Sequence, residues 1–314
     1  MEMHEIQPEI SQALLTNPGI GFIAAPELMN AEPNALRDSR GQIVAPYKFT
    51  PDSRTWNHPD SGVLFCSCRW KDIEPLQGTY DWRCLEEKLD AAAALGCTCI
   101  VRISPYALSA QEDIPAWLRM RYPEEPEFPF WRIDPNTTEY PRLWAALIRN
   151  CAARYDGDPR ITSVDMAIVG AWGEGGGTEN MEENAMKTVI AAYMEGFPHT
   201  PLTALLHDPK SLACIRAFPK QVGFRVDCLG DMGGFHGDRW SHMLDFYPEN
   251  IQNFQMGDAW QEAPVVFEAC WHMNDWYLQG WDIDYIIDES LKWHISSYNS
   301  KGTTVPEAWK DSVT

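Results

Sequence analysis

Eight short apolar runs, separated by segments with the 3.6-residue period of amphipathic helices, constrain this chain more than any other feature. The runs cover residues 19–25, 63–68, 97–104, 164–171, 202–206, 222–228, 265–269 and 294–297. They lack the apolar–polar alternation of a half-exposed sheet, so each reads as a strand buried on both faces, as in parallel sheets. Between them, Leu85, Leu89 and Ala92 mark one helix, introduced by Asp81 and ended by Gly96. Trp144, Leu147, Ile148 and Cys151 form a second apolar stripe, and Met181, Ala185, Val189 and Ala192 a third. Eight strands alternating with helices predict an α/β fold of the (β/α)8 TIM-barrel type rather than an open doubly wound sheet. No phosphate-binding fingerprint follows the first strand. The glycine-rich GAWGEGGG at 170–177 has neither the spacing nor the lysine of a P-loop, which sets aside a nucleotide-dependent oxidoreductase.

A barrel takes roughly 250 residues, so the 314 residues are expected to form one catalytic-type barrel over 1–314 with little to spare. Prolines at 26, 33, 46, 51 and 59 interrupt residues 26–61, so the first β–α connection is expected to be a long loop with at most a short helix near 34–38. The short tail after the eighth strand has room for a short helix around 307–312.

Acidic residues number 45 against 25 basic ones, a net charge of −20, and such a surface repels nucleic acid and anionic membranes. The longest uncharged apolar run, 91–101, falls short of the roughly 20 residues that span a bilayer. The beginning, MEMHEIQPEI, carries acids where a signal peptide needs bases. Nine cysteines, an odd number with no C-x-x-C and no zinc spacing, read as buried reduced thiols. A cytoplasmic protein is expected. Tryptophan, at 14, outnumbers both tyrosine at 11 and phenylalanine at 12. Two readings stand: flat aromatic faces that stack on sugar rings, or bulk that fills a large core.

In a barrel, chemistry sits where strands end, on the C-terminal face. The fourth run leads into Trp172-Gly173-Glu174, and the seventh carries Glu268 followed by Ala269-Cys270-Trp271-His272. A carboxylate at the end of an apolar strand is costly unless it is paired or functional. Glu268 is therefore either neutralised by an arginine on a neighbouring strand or kept for chemistry, and Glu174 is either a solvated loop acid or its counterpart. Two carboxylates facing each other across a mouth can divide into proton donor and nucleophile, as glycoside hydrolysis requires.

The segment Trp70-Lys71-Asp72-Ile73-Glu74-Pro75-Leu76-Gln77-Gly78-Thr79-Tyr80-Asp81-Trp82 resembles the W-x-x-[IL]-E-P-x-x-G-x-Y-[DN]-[WF] stretch after the second strand of clan A glycoside hydrolases. Ile114-Pro115-Ala116-Trp117-Leu118 and Tyr122-Pro123-Glu124 continue the similarity, which is closest to glycoside hydrolase family 42, the β-galactosidases, and to less characterised barrels with the same front half. The detailed likeness covers residues 62–125, with a looser correspondence to residue 300. The resemblance implies a retaining mechanism without metal or organic cofactor, with Glu174 as acid/base and Glu268 as nucleophile. Two departures stand out. Gly173 occupies the position of the family's asparagine, and Leu64 that of its arginine near the start of the second strand, leaving Arg69 or Arg102 to steady the nucleophile. Relatives carry β-rich domains after the barrel; here a homo-oligomer is one way to cover the same surface.

Glu74 lies past a strand end and reads as the residue that fixes the turn into the second helix. Trp172, Trp271, Trp276 and Trp281 lie near the two glutamates in sequence, as stacking platforms or core. His207, Asp208, Asp227, Asp231, His272, Asn274, Tyr298 and Asn299 project from strand ends and are candidate ligands for sugar hydroxyls. His207, Asp208 and His236 match no standard metal-ligand spacing. The expected partner is thus a carbohydrate. The expected activity is retaining hydrolysis of β-linked sugars, β-galactoside-like or related; the alternatives are an inverting or endo-acting glycanase and a carbohydrate-binding barrel without catalysis.

Overall fold

A computed structural model describes residues 18–24, 35–37, 43–46, 62–105, 114–122, 134–170, 173–233, 241–271, 273–299 and 306–309. The strands are β1 (Gly21–Ala24), β2 (Ala35–Arg37), β3 (Ile43–Pro46), β4 (Val63–Arg69), β5 (Thr98–Ser104), β6 (Ile161–Asp165), β7 (Leu202–Leu205), β8 (Gly223–Leu229), β9 (Val265–Ala269) and β10 (Ser297–Asn299). Strands β1 and β4 to β10 pair in parallel, each with its neighbour in the chain, and β1 closes the ring between β10 and β4. The architecture is the expected (β/α)8 barrel.

Strands β2 and β3 form a separate antiparallel pair in the first connection, with Leu36 opposite Ala45. A strand pair therefore stands where a short helix near 34–38 was expected. A two-stranded sheet has a free edge on each side, which accommodates Pro46 without loss of a ladder bond.

Two other boundaries differ from the apolar runs. The fourth barrel strand ends at Asp165, although the run continues to 171. Beyond Asp165 the backbone leaves the ladder yet stays buried, and the flanking helices Glu139–Tyr155 and Glu183–Gly196 supply part of its hydrogen bonds. Tyr140 Oη donates to the Ile168 carbonyl at 2.7 Å, while Trp144 Nε1 and Tyr193 Oη both donate to that of Ala167 at 2.9 Å. The last strand begins only at Ser297, because His294 adopts a left-handed conformation (φ 55°) in the turn that leaves the helix Ile283–Lys292.

Two cores result. Ile23, Val63, Phe65, Ile100 and Val266 plug the inside of the barrel. A larger layer between barrel and helices holds Leu85, Leu89, Trp144, Leu147, Ile148, Val189 and Ala192, the predicted stripes, with Trp70 and Trp276. Truncating one such buried aromatic costs about 3–5 kcal/mol. At the entrance to the helix Arg83–Ala94, Asp81 lies one residue before the cap position, and its carboxylate accepts the Arg83 backbone N–H at 3.1 Å. Glu74 performs the structural task expected of it. Its carboxylate accepts Trp70 Nε1 at 2.6 Å and the Gly78 N–H at 2.7 Å, and its carbonyl accepts Trp117 Nε1 at 3.0 Å. Among the described residues no helix is long and apolar enough to cross a membrane.

Candidate active site

Alternation along the strands turns every second side chain inward, and toward the C-terminal end of the barrel these inward positions become charged. Arg102 on β5, Asp165 on β6, Arg225 and Asp227 on β8, Glu268 on β9 and Asn299 on β10 line one cavity above the Ile23, Phe65 and Ile100 floor. Asp165, 1% exposed, sits between two guanidinium groups. It accepts Arg102 Nε at 2.6 Å and Arg225 Nε at 2.9 Å. Removing three charges from water is costly, and mutual pairing is what makes it tolerable. Arg102 also lies over the Phe65 ring, 4.7 Å from its centroid. Arg225 pairs through Nη1 with Asp227 and through Nη2 donates to the Gly173 carbonyl at 2.6 Å. The β8–β9 ladder slips between Val226 and Leu229, so Asp227 stands at an irregularity of the strand.

The loop that delivers Glu174 is built from glycine for steric reasons. Gly173 has φ +78°, and a Cβ there would lie 2.8 Å from Ala167 Cβ and 3.1 Å from Arg102 Cδ. At Gly170 (φ +99°) a Cβ would lie 2.4 Å from the Gly176 nitrogen, because the loop folds back on itself. Gly175 N–H closes the fold on the Val169 carbonyl at 3.1 Å, and Thr178 Oγ1 donates to Gly175 O at 2.7 Å. The absence of the family's asparagine at 173 thus has a local cause: this backbone leaves no room for a side chain.

Electrostatics separate the acids. Removal from water raises the Glu174 carboxyl to about 7, helped by the neighbouring carboxylates of Asp227 and Glu268 and opposed by Arg225 and Arg102. For Asp227 burial acts upward too, but the guanidinium groups of Arg225 and Arg102 outweigh it and hold the group ionised below the usual range. Glu268 accepts Asn299 Nδ2 at 3.1 Å. His207 is depressed to about 4 by burial, despite the pull of Asp227, so its imidazole is neutral. Its ring stacks on Phe246 (centroids 5.1 Å apart) and meets His242 edge-on at 4.9 Å, and its Nδ1 has no hydrogen-bond partner.

Arg102, Asp227, Glu268 and Asn299 share the cavity, and Glu174 and His207 lie close enough to feel the charge of Asp227; the other candidates are placed differently. Arg69 is ion-paired at 2.8 Å with Asp72 on the outer rim. The Arg102 ion pair goes to Asp165, which makes it part of the support beneath the site. Asp208 caps the helix Pro209–Ile215 by accepting the Ser211 N–H at 3.0 Å, a structural use in place of the expected hydroxyl contact. Asp231 is held within its own loop, by His242 Nδ1 at 2.6 Å and the Gly233 N–H at 3.0 Å. Trp276 is core, 1% exposed, with Nε1 donating to the Cys270 carbonyl at 2.6 Å. Trp281 packs against the outer core. Tyr298 meets the Phe22 ring at 5.6 Å and packs against that layer, as the alternation with inward Ser297 and Asn299 requires. Trp271 is different: it is 46% exposed and left-handed (φ 51°), just past the end of β9. Trp172 and His272 lie outside the described residues, as do His236 and the side chain of Asn274.

Three residues of the cluster are not evident from the sequence: Asp165, Arg225 and His242. The first two have a usable signal, since Arg102, Asp165 and Arg225 are lone charges of opposite sign in apolar strands. His242 has none, because it lies in a wide π-type turn, His242–Phe246, far from any strand end.

Residues 61–166 match the glycoside hydrolase family 42 model, described as β-galactosidase. The resemblance read from the 70–82 segment is thereby borne out over the front of the barrel; the matched stretch stops before Glu174 and Glu268. Among solved structures, endo-glycoceramidase II from Rhodococcus sp. is similar with 14% identity and a TM-score of 0.53, over 91% of this chain and 75% of that one. Xylanase 10B from Thermotoga petrophila RKU-1 is similar with 14% identity and a TM-score of 0.51, over 90% and 81%. The catalytic domain of β-amylase from Paenibacillus polymyxa shares 9% identity with a TM-score of 0.58, over 91% and 92%. At these identities the likeness concerns the fold. No curated relative matches the chain. The family match over the front of the barrel supports an O-glycosyl hydrolase.

Proposed function

We propose that the protein is a retaining glycoside hydrolase acting on β-linked sugars, β-galactosides or related β-glycosides, with Glu268 as nucleophile and Glu174 as acid/base. The observation that carries this reading is the division of labour between two neighbouring glutamates. Glu174 is kept protonated near neutrality beside other carboxylates, and Glu268 is oriented by Asn299 at 3.1 Å. A proton donor with a pKa near the working pH is the most effective one.

In the first step a Glu268 oxygen attacks the anomeric carbon. The bond from that carbon to the leaving oxygen breaks, and the leaving oxygen takes the proton of Glu174. In the second step the Glu174 carboxylate removes a proton from water, whose oxygen attacks the anomeric carbon and releases Glu268. The residue that gives the proton is the residue that takes it back, so a carboxyl poised near 7 serves both halves of the cycle.

The test is covalent trapping. A 2-deoxy-2-fluoro β-galactoside with a dinitrophenolate leaving group should inactivate the enzyme and add one sugar to the peptide containing Glu268. NMR of the first-formed product should show the β-anomer. An α-anomer, or a label on any other residue, overturns the retaining assignment.

A further inference from the structure

We propose that Arg225 is the positioning residue for the proton donor: its guanidinium, braced on Asp165, holds the Gly173 carbonyl and thereby sets where the Glu174 carboxyl stands. This rests on the retaining reading and adds to it a residue on the sixth barrel strand that acts through Gly173.

Three observations converge. First, Arg225 is 2% exposed, and its planar fork reaches three chain segments at once. Nε lies 2.9 and 2.8 Å from the two Asp165 oxygens, Nη1 bonds Asp227, and Nη2 donates to Gly173 O at 2.6 Å. A rigid plane with fixed donor directions fixes the relative places of its acceptors, which a flexible ammonium group does not. Second, the fork is itself immobilised. Asp165 is gripped from its other side by Arg102 Nε at 2.6 Å, and Arg102 lies over Phe65. Third, the loop is closed on itself by backbone bonds, Gly173 N–H to Gly170 O at 3.2 Å and Gly175 N–H to Val169 O at 3.1 Å, and the Arg225 bond ties that closed tip to the barrel. The loop's base is pinned at Ala167 by Trp144 and Tyr193, each at 2.9 Å, but Gly173 has no side chain and no space for one. Its carbonyl is the handle next to Glu174, and Arg225 holds it.

The charged groups that act on Glu174 are Asp227 and Glu268, which favour its protonated form, and Arg225 and Arg102, which oppose it. Those that hold Asp227 ionised are Arg225 and Arg102. Arg225 therefore fixes the geometry of the proton donor and also keeps Asp227 negative, and the negative Asp227 favours a protonated Glu174.

Arg225→Lys keeps the charge and removes the fork. The readout is dependence on leaving group, because a departing dinitrophenolate needs no proton whereas an alkoxide does. In the variant, kcat/KM for an alkyl β-glycoside should fall by about a hundredfold, the lower range for loss of general acid catalysis. For the dinitrophenyl β-glycoside it should stay within about threefold. Parallel losses on both substrates, or no loss on either, would overturn the proposal. Gly173→Ala displaces the same carbonyl from the other side and should show the same selectivity, which keeps the test decisive if the lysine variant does not fold. Wild-type protein that cleaves neither glycoside, or a Glu174→Gln variant without leaving-group selectivity, would instead refute the retaining reading itself.

Discussion

Glu74 and Glu174 are two partly or fully buried acids, each in a glycine-containing turn that follows a barrel strand, and each has its carboxyl pushed up by removal from water. Their surroundings differ in kind. Glu74 meets donors, the Trp70 indole and the Gly78 N–H, which satisfy both oxygens and pull against the effect of burial. Glu174 meets acids, Asp227 and Glu268, which reinforce it. A shifted carboxyl is therefore no mark of a functional site in itself. Donors make it a strut; like charges around a half-open carboxyl suit the proton donor proposed above.

The contrast can be broken by substitution. Glu268→Gln removes the attacking oxygen's charge, and turnover of aryl β-glycosides should fall by about ten-thousandfold or more in a protein with unchanged circular dichroism. Glu174→Gln should cost about 10²- to 10⁴-fold on substrates with poor leaving groups. It should also abolish the alkaline limb of the pH profile. The protonated donor is present below about 7 and is lost as pH rises through that value, so wild-type kcat/KM should decline there and the variant's should not. The same sign governs stability: a raised carboxyl favours the folded state when protonated, and that contribution fades from its ordinary value of 4.5 up to about 7. Urea unfolding at pH 5 and pH 8 should show the decline in wild-type protein and a flatter response in Glu174→Gln.

Glu74→Ala should do the opposite of the catalytic changes. It strands the Trp70 and Gly78 donors, which at about 1–2 kcal/mol each should remove about 2–4 kcal/mol of unfolding free energy, while the pH profile of the folded fraction keeps its shape. Trp271→Ala should have the smallest effect. If its exposed face stacks on a sugar, KM should rise roughly three- to tenfold, matching about 0.5–1.5 kcal/mol of aromatic contact, with kcat unchanged.

The barrel itself was legible because its strands are buried on both faces. The seventh run coincides with β9, Val265–Ala269, and the second starts with β4 at Val63. The fourth failed because apolar pattern reports burial, not hydrogen-bond ladder. Met166 to Val169 are as buried as a strand, but part of their bonding goes to Tyr140, Trp144 and Tyr193 on the helices. At the proposed site, the strand-end rule pointed to Asp227, Glu268 and Asn299, which the barrel brings to one cavity, since position along a strand determines which end a residue reaches. It misplaced Trp276 and Asp208, because the chain beyond a strand end can turn back into the core or cap the next helix. Arg225 was invisible to a search for substrate ligands. Its partners lie on β6 and in the 170–177 loop, a relation that only strand order in the closed ring creates.

The Arg102–Asp165–Arg225 arrangement also has a consequence for biosynthesis. Its members enter from the third, fourth and sixth strands of the ring, so a chain emerging from the ribosome holds Asp165 with a single cation until the segment around 225 has emerged. Up to that moment the nascent half-ring has an acid at its centre with half its neutralising charge and an open edge where β7 and β8 will dock. Until then the Gly173 carbonyl lacks its bond from Arg225, although the backbone bonds within the loop can form, and a translational pause at that point would leave an open ring edge of the kind that chaperones meet.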